Sequence, residues 1–183
     1  MSKILVDTID TRSGTTNLTI GSTNSSTVTF ENGAVTGHMY PAFTARITAS
    51  SQSIGDSVDT KVQMDDEILD TDGCYDDTTN YRFTPTVAGK YFVYGYAYLD
   101  SQASSNFDQG RLYIFKNGSA VNQSANNMGG NFPEAMTINV NNILDLNGTT
   151  DYVELYAWIN DTSGTPIVRG QRFAEFGAYR IGT

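Results

Sequence analysis

Residues of the kinds that carry chemistry are few in this chain, and their arrangement does not favour catalysis. His38 is the only histidine. One chain therefore cannot build a histidine cluster for a metal, and it lacks the histidines for a triad of the Ser-His-Asp kind at any other position. Cys74 lies among acidic residues and has no basic sequence neighbour that would activate its thiol, which indicates a structural role. Glycosidases need two carboxylates at a defined separation, and 20 acidic residues provide such pairs by chance. We therefore expect a protein that is not an enzyme, with a polysaccharide-degrading activity as the alternative.

An acidic stretch between residues 65 and 77 could supply the hard oxygen ligands that calcium prefers. Its spacing does not match the calcium-loop pattern D-x-[DN]-x-[DN]-G, so we expect a solvated acidic edge and assign no metal ligand. Calcium remains the one cofactor that the pattern allows. The acidic residues are Asp65, Asp66, Glu67, Asp70, Asp72, Asp76 and Asp77.

The charge balance excludes one class of partner. The chain carries 11 basic and 20 acidic residues, for a formal net charge of −9. Proteins that hold DNA or RNA through phosphates need clusters of Lys and Arg, so no nucleic-acid partner is expected. The longest apolar-looking run, residues 91–99, is far shorter than the ~20 residues of a membrane helix, and no membrane insertion is expected.

Composition and periodicity both predict strands. The 183 residues include 11 Tyr and 9 Phe, and aromatic side chains suit a pleated, half-buried surface. From residue 41 onward apolar residues alternate with polar ones in many short runs, and no useful window has a helical period. Many short strands at regular spacing are typical of a sandwich or barrel, so the predicted class is all-β.

One predicted strand, residues 91–99, has aromatic side chains on both faces. A sandwich strand normally buries one face and exposes the other. Aromatic residues on both sides favour burial of the second face against a neighbouring chain, although exposed tyrosines are the simpler alternative. We assign Tyr91, Tyr94, Tyr96 and Tyr98 to an interface between identical chains.

The first 37 residues differ from the rest and are predicted to form a separate β-stranded stalk, followed by a head at residues 38–183. Their few apolar residues alternate in short units joined by Gly, Asn and Ser. Because so few apolar residues cannot form a core within one chain, we expect several chains to share a single core. The alternative is a flexible arm that docks on a neighbouring chain. The residues assigned to that shared core are Leu18, Ile20, Val28 and Phe30.

Three long polar loops, residues 100–109, 126–134 and 160–170, are each separated by two predicted strands. If successive strands are antiparallel, these loops lie at one end, and the tight turns near residues 117 and 148 lie at the other. Loops on a rigid scaffold often carry recognition. The candidate receptor contacts in these loops are Asn106, Phe107, Asn131, Phe132 and Asp161.

Residues 83–94, FTPTVAGKYFVY, resemble the signature of the globular heads of the complement and tumour-necrosis-factor family. Phe83, Gly89 and Tyr91 stand at the spacing that the family uses at the start of its longest central strand. The resemblance covers roughly residues 40–183. It implies a jelly roll of about ten strands that forms a homotrimer around an aromatic-lined axis, without implying the family's biological functions.

The last strand extends this resemblance, and the central strand departs from it. The segment AEFGAYRIG is similar to the family's final strand through Phe176 and Gly177. Val93 and Gly95 stand at positions where the family usually has aromatic residues.

The first 30 residues resemble the start of fibre-like proteins of tailed bacteriophages, which place a thin β-stalk before a small jelly-roll head. This resemblance implies a homotrimeric virion protein, assembled in the host cytoplasm, whose residues 1–37 contact other virion proteins. Its tip loops would bind host surface polysaccharide. The alternative is a capsid decoration protein that stabilises the shell.

Overall fold

The structure is a computed structural model that describes residues 40–182. No residue in this range is helical, so it contains no helix long and apolar enough to cross a membrane. The range forms twelve β-strands, of which three have only two residues. In chain order they are β1 (Ala42–Arg46), β2 (Ser51–Ser53), β3 (Thr60–Lys61), β4 (Asp66–Asp70), β5 (Tyr75–Asp76), β6 (Arg82–Phe83), β7 (Gly89–Asp100), β8 (Phe107–Lys116), β9 (Ser119–Asn127), β10 (Ala135–Leu146), β11 (Val153–Asp161) and β12 (Ile167–Gly182).

The strands form two antiparallel sheets of six strands each. The front sheet has the order β10-β7-β12-β1-β4, with β2 also paired to β12. The back sheet has the order β5-β6-β11-β8-β9, with β3 also paired to β11. Sequence neighbours are therefore often far apart in a sheet, and the two layers enclose the apolar core. The prediction of an all-β jelly-roll sandwich is confirmed.

Strand β7 shows why the alternating sequence gives this arrangement. Its odd-numbered residues from Tyr91 to Leu99 are buried, and the even-numbered residues from Phe92 to Tyr98 are half-buried on the outer face. Side chains alternate across a strand, so a period of two separates a core face from an outer face. Because β7 pairs with β10 on one side and β12 on the other, it lies inside the sheet.

Aromatic rings make up one end of the core. Phe43 stacks on Tyr75 and on Phe83 with ring centroids 4.6 Å apart in both pairs, and it meets the edge of Phe176 at 5.1 Å. Tyr91 packs against Phe83 at 5.7 Å. These contacts join strands of both sheets, and paired rings add to the stability that apolar burial provides.

The turn between β8 and β9 is set by its sequence. Asn117 and Gly118 have φ values of 52° and 78°, the left-handed region that a two-residue hairpin turn of this kind requires. The Asn117 side chain accepts a hydrogen bond from the Tyr152 N–H and donates one to Asp151. These two hydrogen bonds therefore fix the predicted tight turn at Asn117 to the segment that enters β11.

Candidate interaction surfaces

The outer face of the front sheet carries a row of aromatic side chains, which we call the aromatic row: Phe92, Tyr94, Tyr96 and Tyr98 of β7. These side chains are half-buried, and the row continues sideways because Phe92 lies 5.6 Å from Tyr179 and Tyr98 lies 5.8 Å from Phe173. Three of the four tyrosines assigned to an interface between chains thus share one surface.

Polar contacts hold two of these tyrosines in place. The Tyr94 hydroxyl lies 3.2 Å from the Thr44 hydroxyl and donates to Glu175 Oε1 at 3.2 Å. The Tyr96 hydroxyl donates to the Arg172 carbonyl at 3.2 Å. Burial raises the pKa of Tyr94 and of Tyr96, so both phenols remain protonated in neutral solution.

Gly177 gives the Tyr94 ring its space. A Cβ atom at this position would lie 2.5 Å from the ring, which is closer than real Cβ atoms approach. The ring therefore lies directly over the backbone of β12 at Gly177. Gly177 also belongs to the segment that resembles the family's final strand, and its role here is to let the Tyr94 ring come close to the backbone.

Large apolar side chains surround the aromatic row and remain exposed. Ile143 is 55% exposed, Leu69 48% and Phe173 40%. Ile143 lies directly across from Phe92 in the pairing of β10 with β7. A depression of about 300 Å³ opens on the same side and is lined by Tyr40, Ala42, Phe43, Thr44, Leu69, Thr71, Tyr94, Ala178 and Tyr179.

Tyr91 does not belong to this surface, and its assignment to an interface was wrong. It lies on the inner face of β7, is 0% exposed and donates a hydrogen bond to the Val87 carbonyl at 2.6 Å. Its odd number in the alternation places it opposite to its tyrosine neighbours. Val93 and Gly95, the departures from the family pattern, also face the core.

The three predicted long loops meet at one end of the sandwich. The Ser101 N–H donates to the Glu134 carbonyl at 3.0 Å, and the Thr162 N–H donates to the Asn106 carbonyl at 3.0 Å. The Thr165 N–H donates to the Ser101 carbonyl at 3.1 Å. Asn106, Asn131, Phe132 and Asp161 therefore belong to one group of loops, which we call the tip.

Phe107 is different from the other four tip candidates, because it is 0% exposed. It begins β8 and points into the core, so its ring cannot stack on a ligand, and its assignment as a receptor contact was wrong. Phe132 remains half-buried and Asn131 is exposed. Strict alternation along β8 would place Phe107 on the outer face with Arg111. The pairing of β8 with β11 shifts its register after Asn160, so alternation alone could not have separated the two phenylalanines.

A pair of carboxylates lies at the tip. The Asp161 N–H donates to Asp56 Oδ1 at 3.0 Å, and Asp161 Oδ2 is buried without a hydrogen-bond partner among the described residues. Burial, and then the charge and hydrogen bond of Asp56, raise the pKa of Asp161. The pairing connects β11 to the segment before β3, which sequence reasoning did not anticipate.

The acidic stretch between residues 65 and 77 mostly serves local structure. Asp66 pairs with Arg46 at 2.6 Å, and Asp70 accepts the Tyr75 N–H at 2.7 Å. Asp76 accepts the Thr79 N–H at 2.8 Å, a turn contact that lowers its pKa. Within residues 40–182, no three His, Cys, Asp or Glu side chains are grouped as metal ligands.

Cys74 is buried, and its thiol lies 3.8 Å from the Thr86 hydroxyl. Desolvation raises the pKa of this thiol, which makes it a weaker nucleophile in neutral solution. The stalk residues Leu18, Ile20, Val28 and Phe30, together with His38, lie outside the described residues, so the predicted division into stalk and head stays a prediction.

No family model matches the chain, and no curated protein matches it. Solved structures do match. The globular domain of zebrafish complement 1qA protein is similar with a TM-score of 0.54 at 14% identity, over 77% of this chain and 97% of that one. The Eiger TNF of S. frugiperda is similar with a TM-score of 0.54 at 10% identity, over 79% and 94%.

A third similar structure is murine APRIL at pH 5.0, with a TM-score of 0.55 at 9% identity, over 76% of this chain and 98% of that one. All three identities are low, so the likeness concerns the fold and not the activity. The described residues of this chain thus have the jelly-roll fold of complement 1q and tumour-necrosis-factor domains.

Proposed function

We propose that the chain is a homotrimeric structural and binding protein, not an enzyme, and that its copies associate through the outer face of the front sheet. The aromatic row carries this proposal. Four neighbouring aromatic side chains with exposed Ile143, Leu69 and Phe173 beside them form a surface of the kind that proteins usually cover. Each Å² of apolar area removed from water contributes about 25 cal/mol, so large rings stabilise an assembly efficiently.

The hydroxyl contacts favour an interface over a simple wet surface. Tyr94 and Tyr96 direct their hydroxyl groups to partners on their own chain, which leaves the ring faces and edges for a neighbour. Aromatic residues with a satisfied polar end are enriched in the centres of protein interfaces.

At the level of biological role, we propose a virion protein of a tailed bacteriophage, on the basis of the resemblance of its first 30 residues to fibre-like proteins. Residues 1–37 would attach it to other virion proteins. Asn106, Asn131, Phe132 and Asp161 at the tip would bind host surface polysaccharide, and three copies would raise the effective affinity of a weak contact. A capsid decoration protein is the alternative, and copy number separates them: hundreds per particle for decoration, and tens or fewer for a tail fibre.

The interface is tested by placing a charge in the aromatic row. In the full chain, Tyr96→Arg should shift the equilibrium from trimers towards single copies in sedimentation equilibrium, because the apolar ring is lost and a guanidinium, even beside Glu175, would have to be desolvated. Val121→Arg is the control, since Val121 is 41% exposed on β9 of the back sheet and gains the same charge. Equal dissociation of the Tyr96→Arg and Val121→Arg proteins would refute this interface.

A further inference from the structure

The outer face of the back sheet contains an arginine that is held in one orientation. The Arg111 guanidinium lies 4.3 Å from the centre of the Trp158 ring, which stands directly across from it in the pairing of β11 with β8. On its other side the partner is Ala125, which is small and exposed. The guanidinium therefore has the Trp158 ring on one side and only the small Ala125 side chain across the strand pair on the other.

Two hydrogen bonds fix this guanidinium further. Nη1 donates to the Tyr113 hydroxyl at 3.3 Å, and Nη2 donates to Gln109 Oε1 at 3.2 Å. An arginine has five N–H donors, so others remain available. None of the ion pairs formed by residues 40–182 includes Arg111, although acidic residues outnumber basic ones 20 to 11 in the chain.

A shallow depression lies next to this group. Its volume is about 310 Å³, which is in the size range of small-molecule sites, and its lining includes Tyr113, the acceptor for Arg111. One lining residue belongs to β8 and four belong to β9, including the exposed Gln123. Arg111 lies two residues before Tyr113 on the same face of β8, so it borders the depression without lining it. The lining residues are Tyr113, Ala120, Val121, Asn122 and Gln123.

We propose that this depression binds a carboxylate-bearing sugar of an acidic polysaccharide. A planar, fixed guanidinium binds a carboxylate through two parallel hydrogen bonds, and its fixed position lowers the entropy lost on binding. The amides of Gln109 and Gln123 would hydrogen-bond the sugar hydroxyls. Asn122 and Gln123 line the depression beside the Tyr113 ring, and amides next to a flat ring suit the hydroxyls and the face of a sugar better than an acidic protein segment.

This site goes beyond the proposed function, because it lies on the back sheet, away from both the aromatic row and the tip loops. It also provides its own reporter. Trp158 is the only tryptophan of the chain, so a ligand that moves the Arg111 guanidinium changes the environment of the one indole that fluoresces.

The test is a titration of the full chain with trigalacturonate, followed by Trp158 emission and by calorimetry. We expect saturable binding that is lost with the methyl ester of the same sugar. Arg111→Gln and Arg111→Lys should each weaken binding about tenfold or more, because both remove the two-pronged contact. Arg82→Gln should leave affinity within about twofold, since Arg82 lies 4.4 Å over Tyr152 in a similar arrangement on the same sheet.

Three outcomes would overturn the site: no saturable binding, equal loss for Arg82→Gln and Arg111→Gln, or equal affinity for the methyl ester. Binding of poly-L-glutamate as tight as that of trigalacturonate would overturn the sugar as ligand. Sedimentation of the variants separates this test from the proposed assembly, because Arg111→Gln should retain the native mass of the unmodified chain.

Discussion

Asp100 ends β7 and connects the central strand to the tip. It is 1% exposed, and its Oδ2 atom accepts hydrogen bonds from Arg169 Nε at 2.8 Å and from Nη2 at 2.7 Å. Its Oδ1 atom accepts the Gln102 N–H at 2.6 Å. One carboxylate therefore links the end of β7 to Arg169 of β12 and also accepts the N–H of Gln102 in the first turn of a tip loop.

Asp100→Asn should destabilise the protein by roughly 2 kcal/mol. The amide keeps the shape of the side chain, but its single oxygen can accept either from the Gln102 N–H or from Arg169, and its NH2 group then faces the other donor. The loss stays below that of a fully buried pair because the Arg169 side chain is 45% exposed. Urea unfolding measures the change.

The matched control is Asp145→Asn, which removes the same charge from a pair with Lys90. Both of those side chains are exposed, at 51% for Lys90 and 79% for Asp145, so the cost should be below about 1 kcal/mol. Equal costs for the two variants would show that burial of Asp100 contributes nothing.

Asp161 should make stability depend on pH. Its pKa is raised in the folded protein by burial and by Asp56, so the folded state binds more protons than the unfolded state between the ordinary and the raised pKa. Stability contributed by the protonated group is therefore lost as pH rises through that window. Asp161→Asn should gain stability over the unmodified protein as pH increases from 4 to 7.

That gain should be below about 1 kcal/mol, because water screens a carboxyl that is only partly buried. Thermal unfolding of both proteins at several pH values measures it. A difference that does not change with pH, or a variant that becomes relatively less stable as pH rises, would contradict the assignment of the raised pKa.

At the scale of elements, the alternation of β7 was predictable from the sequence. Successive residues take opposite faces, and the run from Tyr91 to Leu99 has an uninterrupted period of two. Strand β9 was less evident, because it is an exposed edge strand in which polar residues occupy both faces. The irregular part of β12, where the pairing shifts between Arg169 and Ala174, has no period that a sequence could reveal.

The candidate sites were likewise predictable only where they depend on alternation or strand order. The alternation of β7 already separates Tyr91 from the aromatic face, so its assignment to an interface followed from residue type, because an aromatic residue suits either face of a strand. The meeting of the three long loops was predictable from antiparallel order. The contact of Arg111 with Trp158 depends on the pairing of β8 with β11, which sequence spacing alone did not reveal.

The tip loops allow a separate test of the proposed receptor contact. Phe132→Ala should reduce adsorption of particles to host cells several-fold while leaving thermal unfolding almost unchanged, because Phe132 is half-buried on a loop and outside the core. Val87→Ala is the control, because Val87 is 39% exposed and lies before the start of β7, at the end of the sandwich away from the tip. Unchanged adsorption of the Phe132→Ala particles would exclude this contact at the tip.

At the scale of the whole molecule, the two sheets have different outer faces. The front sheet presents the aromatic row with exposed Ile143, Leu69 and Phe173. On the back sheet, cations cover aromatic rings, as in Arg111 over Trp158 and Arg82 over Tyr152. One face thus suits burial against identical chains, and the other suits contact with solvent and polar ligands.

The most direct test of this account is the mass of the full chain in solution, measured by sedimentation equilibrium over a wide concentration range. The account predicts three times the chain mass of 19.9 kDa, with no smaller species in the micromolar range. A folded protein that sediments at 19.9 kDa at every concentration would contradict it, because the aromatic row would then face water.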